Sequence, residues 1–499
     1  MTQVELKSAH EAFVAPETYS MYIGGERVPG VSTFVAVNPS TGRPWTNLPQ
    51  AGADQVGLAV RAAVNAFGKW RRTTVSFRQQ LLATIADRVE ANPDRWAKLL
   101  ATENGRPIRE AYIADVPNTA AIFRYFSGIV RDHHGDHLSV EDPHTLVYTT
   151  REPLGVIAAI LPWNSPLITL ANKIAPALAA GNTVVVKPSE FATASILEFA
   201  DLVGDLLPPG VFNVVTGDGA VGAALVSHGD VAKVSFTGGG PTARKIMAAA
   251  AEVLTPTIME LGGKSSLIVA EDADLDRAVA DAALGIYLAN GEACVASSRL
   301  LLHDSIADEF LDQFVQTARS IRVGDALDMQ TQVGPLVSQA QRDRVLSYIR
   351  LAHDEGLTLH AGDETLDAGA NTDGFFVRPT IFETSATARI ASEEVFGPVT
   401  VAERFTDYDD AVIRANSTRY GLAAGVWTAD LSRAHRIAQR LDSGVVWVNK
   451  WFDLPVGVPM GGVKDSGFGR ELCRETLLEF SSAKVINIDL GAPRPSLWG

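Results

Sequence analysis

Cysteine is nearly absent: the 499 residues hold two, Cys294 and Cys473. Two cysteines cannot build a disulfide framework, and a reducing cytoplasm is the expected compartment. Positive charge is also short, with 43 Lys and Arg against 58 Asp and Glu and a formal net charge of −15. Such an excess repels phosphate backbones and anionic lipid at long range, so neither nucleic acid nor membrane is expected as a partner. Long apolar runs are missing too. The stretch GVIAAILPW stops after nine residues, about half of the ~18 a spanning helix needs. The opening MTQVELKSAHEAF lacks a basic stretch followed by an apolar core, so no secretory signal is expected. Neither internal repeats nor low-complexity segments occur. What remains is 46% hydrophobic and 20% charged, the composition of a soluble enzyme or binding protein acting on small molecules. The length implies two to four domains at roughly 100–200 residues each.

Residues 56–70 and 76–103 carry apolar positions at helical spacing and read as surface helices over a core. From 155 onward the texture changes. GVIAAILP, TVVVKP, VFNVVTG, KVSFTG and TIMELGG are short β-rich runs separated by helical stretches, among them 168–178 and 194–206. A second alternating block holds SSLIVA, a helix from Asp274, SRLLLH, a helix from Ala307, and further units to Val445-Val446-Trp447-Val448. This alternation predicts an α/β fold of doubly wound parallel sheets covered on both faces. Residues 138–152 instead alternate as a two-stranded excursion, whose open edge invites pairing with another subunit. The tail GAPRPSLWG is too short and Pro-rich to form an element of its own.

GDGAVG at 217–222 fits the G-x-G-x-x-G turn that accepts a dinucleotide, a weak pattern in a chain with 42 glycines. Its usual companion is missing, because the next strand ends in Thr237 and Gly238 rather than in an acidic residue. Cys294, in ANGEACVASSRLLLH, falls between an amphipathic helix and a strand. A lone cysteine there is either a small buried hydrophobe or a nucleophile. Gly291, Ala293 and Ala296 leave room for a ligand at the sulfur, and free N–H groups at such a turn hold an oxyanion. Cys473 lies in the charged helical pattern RELCRETLLEF and reads as structural. Glu260 closes the apolar run TIM and precedes two glycines. A strand-end carboxylate either faces the ligand crevice or serves as a cap or ion-pair partner. In RDHHGDH, His133 and His137 have a metal-like spacing beside Asp132 and Asp136, but Gly135 interrupts it; a solvated loop and no metal are expected.

Seven blocks occur in order: LPWNSPL (161–167), GNTVVVKPSE (181–190), KVSFTGG (233–239), MELGGKS (259–265), GEACVASSR (291–299), EEVFGPV (393–399) and MGGVKDSGFGRE (460–471). Through them the chain resembles the NAD(P)-dependent, non-phosphorylating aldehyde dehydrogenases over essentially its whole length. The resemblance implies two Rossmann-like domains and a small β excursion for oligomerisation. Residues 1–131 and 153–261 would bind NAD, 262–463 would form the catalytic domain, and 132–152 with 464–499 would bridge the subunits of a homodimer or homotetramer. It implies that Cys294 attacks an aldehyde as a thiolate, that Asn164 and the Cys294 N–H hold the oxyanion, and that Glu260 activates the water that hydrolyses the thioester. Cofactor contacts fall on Leu161, Pro162, Trp163, Lys187, Ser189, Glu190, Gly219, Phe236, Thr237, Gly238, Gly239, Leu261, Glu394 and Phe396. Lys187 and Glu190 meet the adenosine ribose, Glu394 the nicotinamide ribose, and Phe396 packs near the nicotinamide. A carboxylate at 190 accepts ribose hydroxyls but repels a 2′-phosphate, so NAD is expected over NADP. GDGAVG then lines the groove without gripping the pyrophosphate. That task falls to the helix start after FTGG, where Gly239 stands at a position often Ser in relatives.

Against the family pattern, Ala243 replaces a frequent Gly and makes the turn geometry less secure. Glu292 replaces a frequent Gln and is expected to add negative charge near the sulfur. Ser482 falls where some members carry a second, proton-relaying glutamate, so that route is expected to be absent. Asn172 takes the place of an Arg found in relatives acting on succinate semialdehyde, which disfavours an acidic substrate. Thr169, Asn172, Val295, Trp451, Phe452, Leu454 and Met460 are expected at the tunnel mouth, suiting an aromatic or medium-chain uncharged aldehyde. Three rivals stand beside this reading. A CoA-acylating relative usually lacks the base at Glu260, a non-catalytic binding or structural protein lacks nucleophile or base, and an esterase-like hydrolase has no use for Lys187, Glu190 and Phe396.

Overall fold

The computed structural model describes residues 13–362, 373–384, 388–491 and 498. Nearly all of the N-terminal stretch read for a signal, and most of the Pro-rich tail, lie outside the described residues. Among the described residues no helix is long and apolar enough to cross a membrane.

Runs of small and β-branched residues form strands buried on both faces, as parallel sheets require. Val156–Ile160 and Thr183–Lys187 are buried at every position. They sit at the centre of an eight-stranded sheet ordered Gly467–Phe468, Thr257–Leu261, Val231–Gly238, Val156–Ile160, Thr183–Lys187, Phe212–Val214, Met21–Ile23, Glu26–Val28. The central strands are parallel and the outer ones antiparallel. From Val156–Ile160 the chain winds outward to Phe212–Val214, then crosses back to Val231–Gly238 on the other side. This reversal opens a crevice beyond Ile160 and Gly238, the place where open α/β sheets bind ligands.

The second sheet has seven strands, ordered Thr358–Ala361, Thr380–Glu383, Val399–Phe405, Arg299–His303, Ser266–Val269, Ala423–Trp427, Val445–Val448, all parallel except the first. Only 262–265 separate Thr257–Leu261 from Ser266–Val269. Glu260 therefore stands at the seam between the two sheets.

Several expectations need correction. Residues 76–103 form two helices, Val75–Glu90 and Pro93–Asn104, because Pro93 lacks the N–H a continuous helix would need and suits the first helical position, and Asn92 leaves helical geometry at φ −131°. The helix expected from Ala307 begins at Asp304. Cys473 is not inside a helix; it is the buried N-cap of Arg474–Glu479. His133 and His137 share no helix, since the short turn Val130–Asp132 ends before them. The excursion has three strands, with Thr145–Pro153 between His137–Leu138 and Ser481–Asp489. Ala243 disturbs nothing, being a buried residue of the regular helix Gly240–Glu252.

Candidate active site

Cys294 follows a sharp turn in which Ala289 and Asn290 take left-handed φ values of 56° and 60°. The turn is pressed against the EEVFGPV block: a Cβ on Gly291 would come within 2.2 Å of the Gly397 main chain. Across from it run the two glycines of MELGGKS. A Cβ on Gly263 would sit 2.7 Å from the Cys294 carbonyl, and one on Gly262 would sit 2.1 Å from the Glu394 carboxylate. Close approach, rather than a turn, demands glycine at both. Glu394 then accepts the Gly263 N–H at 3.0 Å. The residue as a whole is partly exposed, but the thiol's desolvated surroundings and the carboxylates of Glu260 and Glu394 push it up to about 12. At neutral pH the resting sulfur is protonated.

Asn164 lies in the loop after Val156–Ile160 and donates from Nδ2 to the Glu292 carbonyl at 2.8 Å. One amide N–H fixes the side chain against the Cys294 loop, leaving the other for a ligand.

Glu260 is buried, and Gly467–Phe468 pairs antiparallel against its strand. Its Oε1 has no hydrogen-bond partner, and a Cβ on Gly461 would lie 2.8 Å from it. Burial, reinforced by Glu471, pushes Glu260 well above the usual carboxylic range, with Lys173 and Arg470 opposing. Lys173, sealed within the helix Pro166–Ala180, donates to Glu471 at 2.7 Å and to Ser235 Oγ at 3.2 Å.

At the strand-order reversal, Leu161 N–H donates to the Lys187 carbonyl at 3.0 Å, tying two strand ends together. The buried Lys187 Nζ stands 3.8 Å from Glu190, whose side chain keeps 43% exposure. Burial lowers the Lys187 ammonium, opposed by Glu190 and Asp218, so GDGAVG does run beside it. Within that motif Gly217 is demanded by packing, since a Cβ would meet Gln50 and Val221 at 2.7 Å, whereas Gly219 faces open space. The helix after Gly239 has no side-chain cap, so its first N–H groups are available to an anion. Thr237 Oγ1 is buried without a partner. Phe396 holds a left-handed φ of 63° and meets Trp163 edge-on at 5.3 Å. Gln341 Nε2 steadies this strained residue by donating to its carbonyl at 2.6 Å.

A model of the aldehyde dehydrogenase family matches residues 28–486. The chain belongs to that family. An aldehyde dehydrogenase of Deinococcus radiodurans is 41% identical, with 97% of each chain covered. An acetaldehyde dehydrogenase of Cupriavidus necator is 41% identical over 94% of each. Among solved structures, PnpE in complex with nicotinamide adenine dinucleotide superposes with a TM-score of 0.95 at 42% identity, covering 96% of this chain and 99% of that one. PnpE of Pseudomonas sp. WBC-3 gives 0.94 at the same identity and coverage.

For this aldehyde dehydrogenase the geometry revises several residues. Leu161 and Phe236 are core side chains, and Phe236 packs under Gly238, so only their main chain can reach the groove. Ser189 uses its hydroxyl on the Phe191 N–H at 3.3 Å. Leu261 ends its strand beside the core, and Pro162 stays half-buried next to Trp163. Ser482 sits on the excursion, paired with Glu152. Glu471, the last residue of the MGGVKDSGFGRE block, lies instead within electrostatic reach of Glu260 and is held by Lys173 at 2.7 Å. Glu292 is turned toward Val337, whose N–H its Oε1 accepts at 3.1 Å, and burial pushes its carboxyl well above the usual range. Trp451 is not at the tunnel mouth: it is buried against Trp447 and donates to the Val295 carbonyl at 3.1 Å.

Proposed function

We propose that the chain oxidises an aldehyde to its carboxylic acid with NAD, in two stages centred on Cys294 and Glu260. One observation carries this reading: the partly exposed Cys294 lies within electrostatic reach of the buried Glu260 carboxyl, whose Oε1 has no hydrogen-bond partner. Lys187 and Glu190 would hold the adenosine ribose, the uncapped helix start after Gly239 the pyrophosphate, and Glu394 with Phe396 the nicotinamide end. The unpartnered Thr237 hydroxyl and the NAD-bound neighbour support the fit. When bound, NAD accepts the hydride that leaves the substrate carbon.

In the first stage the Cys294 sulfur bonds to the aldehyde carbon and its proton passes to Glu260, a base whose raised proton affinity suits the task. The carbonyl oxygen, now negative, takes the free N–H of Asn164 and the N–H of Cys294. Donors of this kind are worth about 3–4 kcal/mol each in the transition state. In the second stage Glu260, having passed its proton on toward the adjoining Glu471, takes one from water. The water oxygen bonds to the thioester carbon, the C–S bond breaks, and the acid leaves with Cys294 restored.

Glu260 favours hydrolysis over transfer to coenzyme A. The tunnel-mouth residues that stay accessible, Phe452 and Leu454 among them, favour an aromatic or medium-chain uncharged aldehyde. The exposed excursion supports a homodimer or homotetramer, which light scattering checks. An aldehyde panel with NAD or NADP, with and without coenzyme A, tests the chemistry through absorbance of the reduced nicotinamide. Steady reduction of NAD without coenzyme A is expected. Reduction that requires coenzyme A, or none with any aldehyde, contradicts the proposal.

A further inference from the structure

Residues 104–110 lie outside every block that carries the family resemblance, yet they grip both loops around the sulfur. Arg106 is buried, and its Nη2 donates to the Asn164 main-chain oxygen and to Ser165 Oγ, each at 2.8 Å. The guanidinium is held from behind by Asp115, 3.2 Å from Nε, and by Glu110, 3.4 Å from Nη1. Glu110 also accepts the Ala289 N–H at 2.9 Å, so one carboxyl ties Arg106 to the turn that leads into Cys294. Asn104 adds a parallel tie: Nδ2 donates to the Trp163 carbonyl at 3.0 Å while Oδ1 accepts the Arg106 N–H at 3.2 Å. Asn290 Nδ2 donates back to the Gly105 carbonyl at 3.0 Å. The ring closes where Asn164 donates to the Glu292 carbonyl at 2.8 Å.

We propose that Arg106 is the positioning residue of the oxyanion site: its guanidinium fixes the Asn164 main chain and, through Glu110, the turn before Cys294, so that both oxyanion donors converge on one point. The proposal rests on the aldehyde-oxidation reading above. A planar fork meets the Asn164 and Ser165 oxygens on one side and the Glu110 and Asp115 carboxylates on the other; a lysine ammonium carries the charge without that geometry. Displacing a reacting group by about 1 Å costs on the order of 100-fold in rate, so a clamp that touches no substrate still controls turnover. Plain deletion is ambiguous, because it leaves buried carboxyls uncompensated.

The test uses the full-length enzyme with Arg106→Lys, which keeps a cation beside Glu110 and Asp115. Its kcat with saturating aldehyde and NAD is expected to fall about 100-fold, while the Kd for NAD and the rate of Cys294 alkylation by iodoacetamide stay within about threefold. Alkylation needs no oxyanion and so reads the thiol alone. Arg106→Ala is expected to fall further and to regain about tenfold in roughly 50 mM guanidinium chloride. A kcat for Arg106→Lys within about threefold of native overturns the proposal. So does a loss in which alkylation and NAD binding fall in step with kcat, the mark of general loosening. If Arg106→Ala does not fold, the split between kcat and alkylation in Arg106→Lys decides alone. Native enzyme distinguishes the two layers: no reduced cofactor from any aldehyde sinks the underlying reading, whereas the clamp stands or falls on the variant-to-native ratio.

Discussion

Along the groove, Glu190 keeps 43% of its side chain exposed, and the helix after Gly239 begins without a cap. At the chemical wall, Lys173 is sealed and committed to Glu471, and Asn164 to the Glu292 carbonyl, partners 298 and 128 residues away. One surface holds polar groups that a ligand completes; the other holds groups braced by the protein, with Glu260 Oε1 and one Asn164 N–H left open toward the chemistry. The contrast teaches what each task needs. Binding exploits unsatisfied donors and acceptors, whereas chemistry needs groups that stay aimed and dry. Changes at the wall should therefore alter rate, and changes in the groove should alter which cofactor is used.

The largest expected effect lies at the wall. Cys294→Ala should lower aldehyde-dependent NAD reduction by about 10⁴-fold or more, read from steady-state rates, with the Kd for NAD kept. Glu471→Gln comes next. Removing this neighbour takes away a charge that raises Glu260, so the Glu260 carboxyl falls and the acidic limb of the kcat profile moves to lower pH. Its kcat at neutral pH should drop about tenfold, as a weaker base with no onward acceptor remains. In the groove, Glu190→Gln should leave kcat with NAD nearly intact and raise the NADP-to-NAD ratio of kcat/KM by about tenfold. The smallest effect is expected for Glu292→Gln. The amide keeps an Oε1 acceptor for the Val337 N–H in a side chain of the same size, so kcat should stay within about threefold. A large loss there would blur the line between the two surfaces.

Most of the sheet architecture was legible because buried parallel strands write themselves as short apolar runs. KVSFTG, TIMELGG, SSLIVA and SRLLLH all became strands where their patterns stood. The strands Met21–Ile23 and Glu26–Val28 were not, since three residues carry no period and Tyr22 meets Val214 at a single register position. The site residues were legible one at a time, through motif position. Their couplings were not: Lys173 with Glu471 and Arg106 with Asn164 join segments far apart in the chain, and local pattern says nothing about which helix interior faces which strand end. Trp451 misled for the same reason, an aromatic in a loop that folds inward to brace the Val295 carbonyl.

The central claim is that Cys294 holds the substrate until Glu260 frees it. Glu260→Gln mixed with aldehyde and NAD, quenched and weighed by intact-mass spectrometry, addresses it directly. With the acceptor of the thiol proton also gone, a slowed burst of one reduced cofactor per active site is expected, then a stall, with Cys294 carrying the acyl group as added mass. Continued native-rate turnover with no added mass on Cys294 would contradict it.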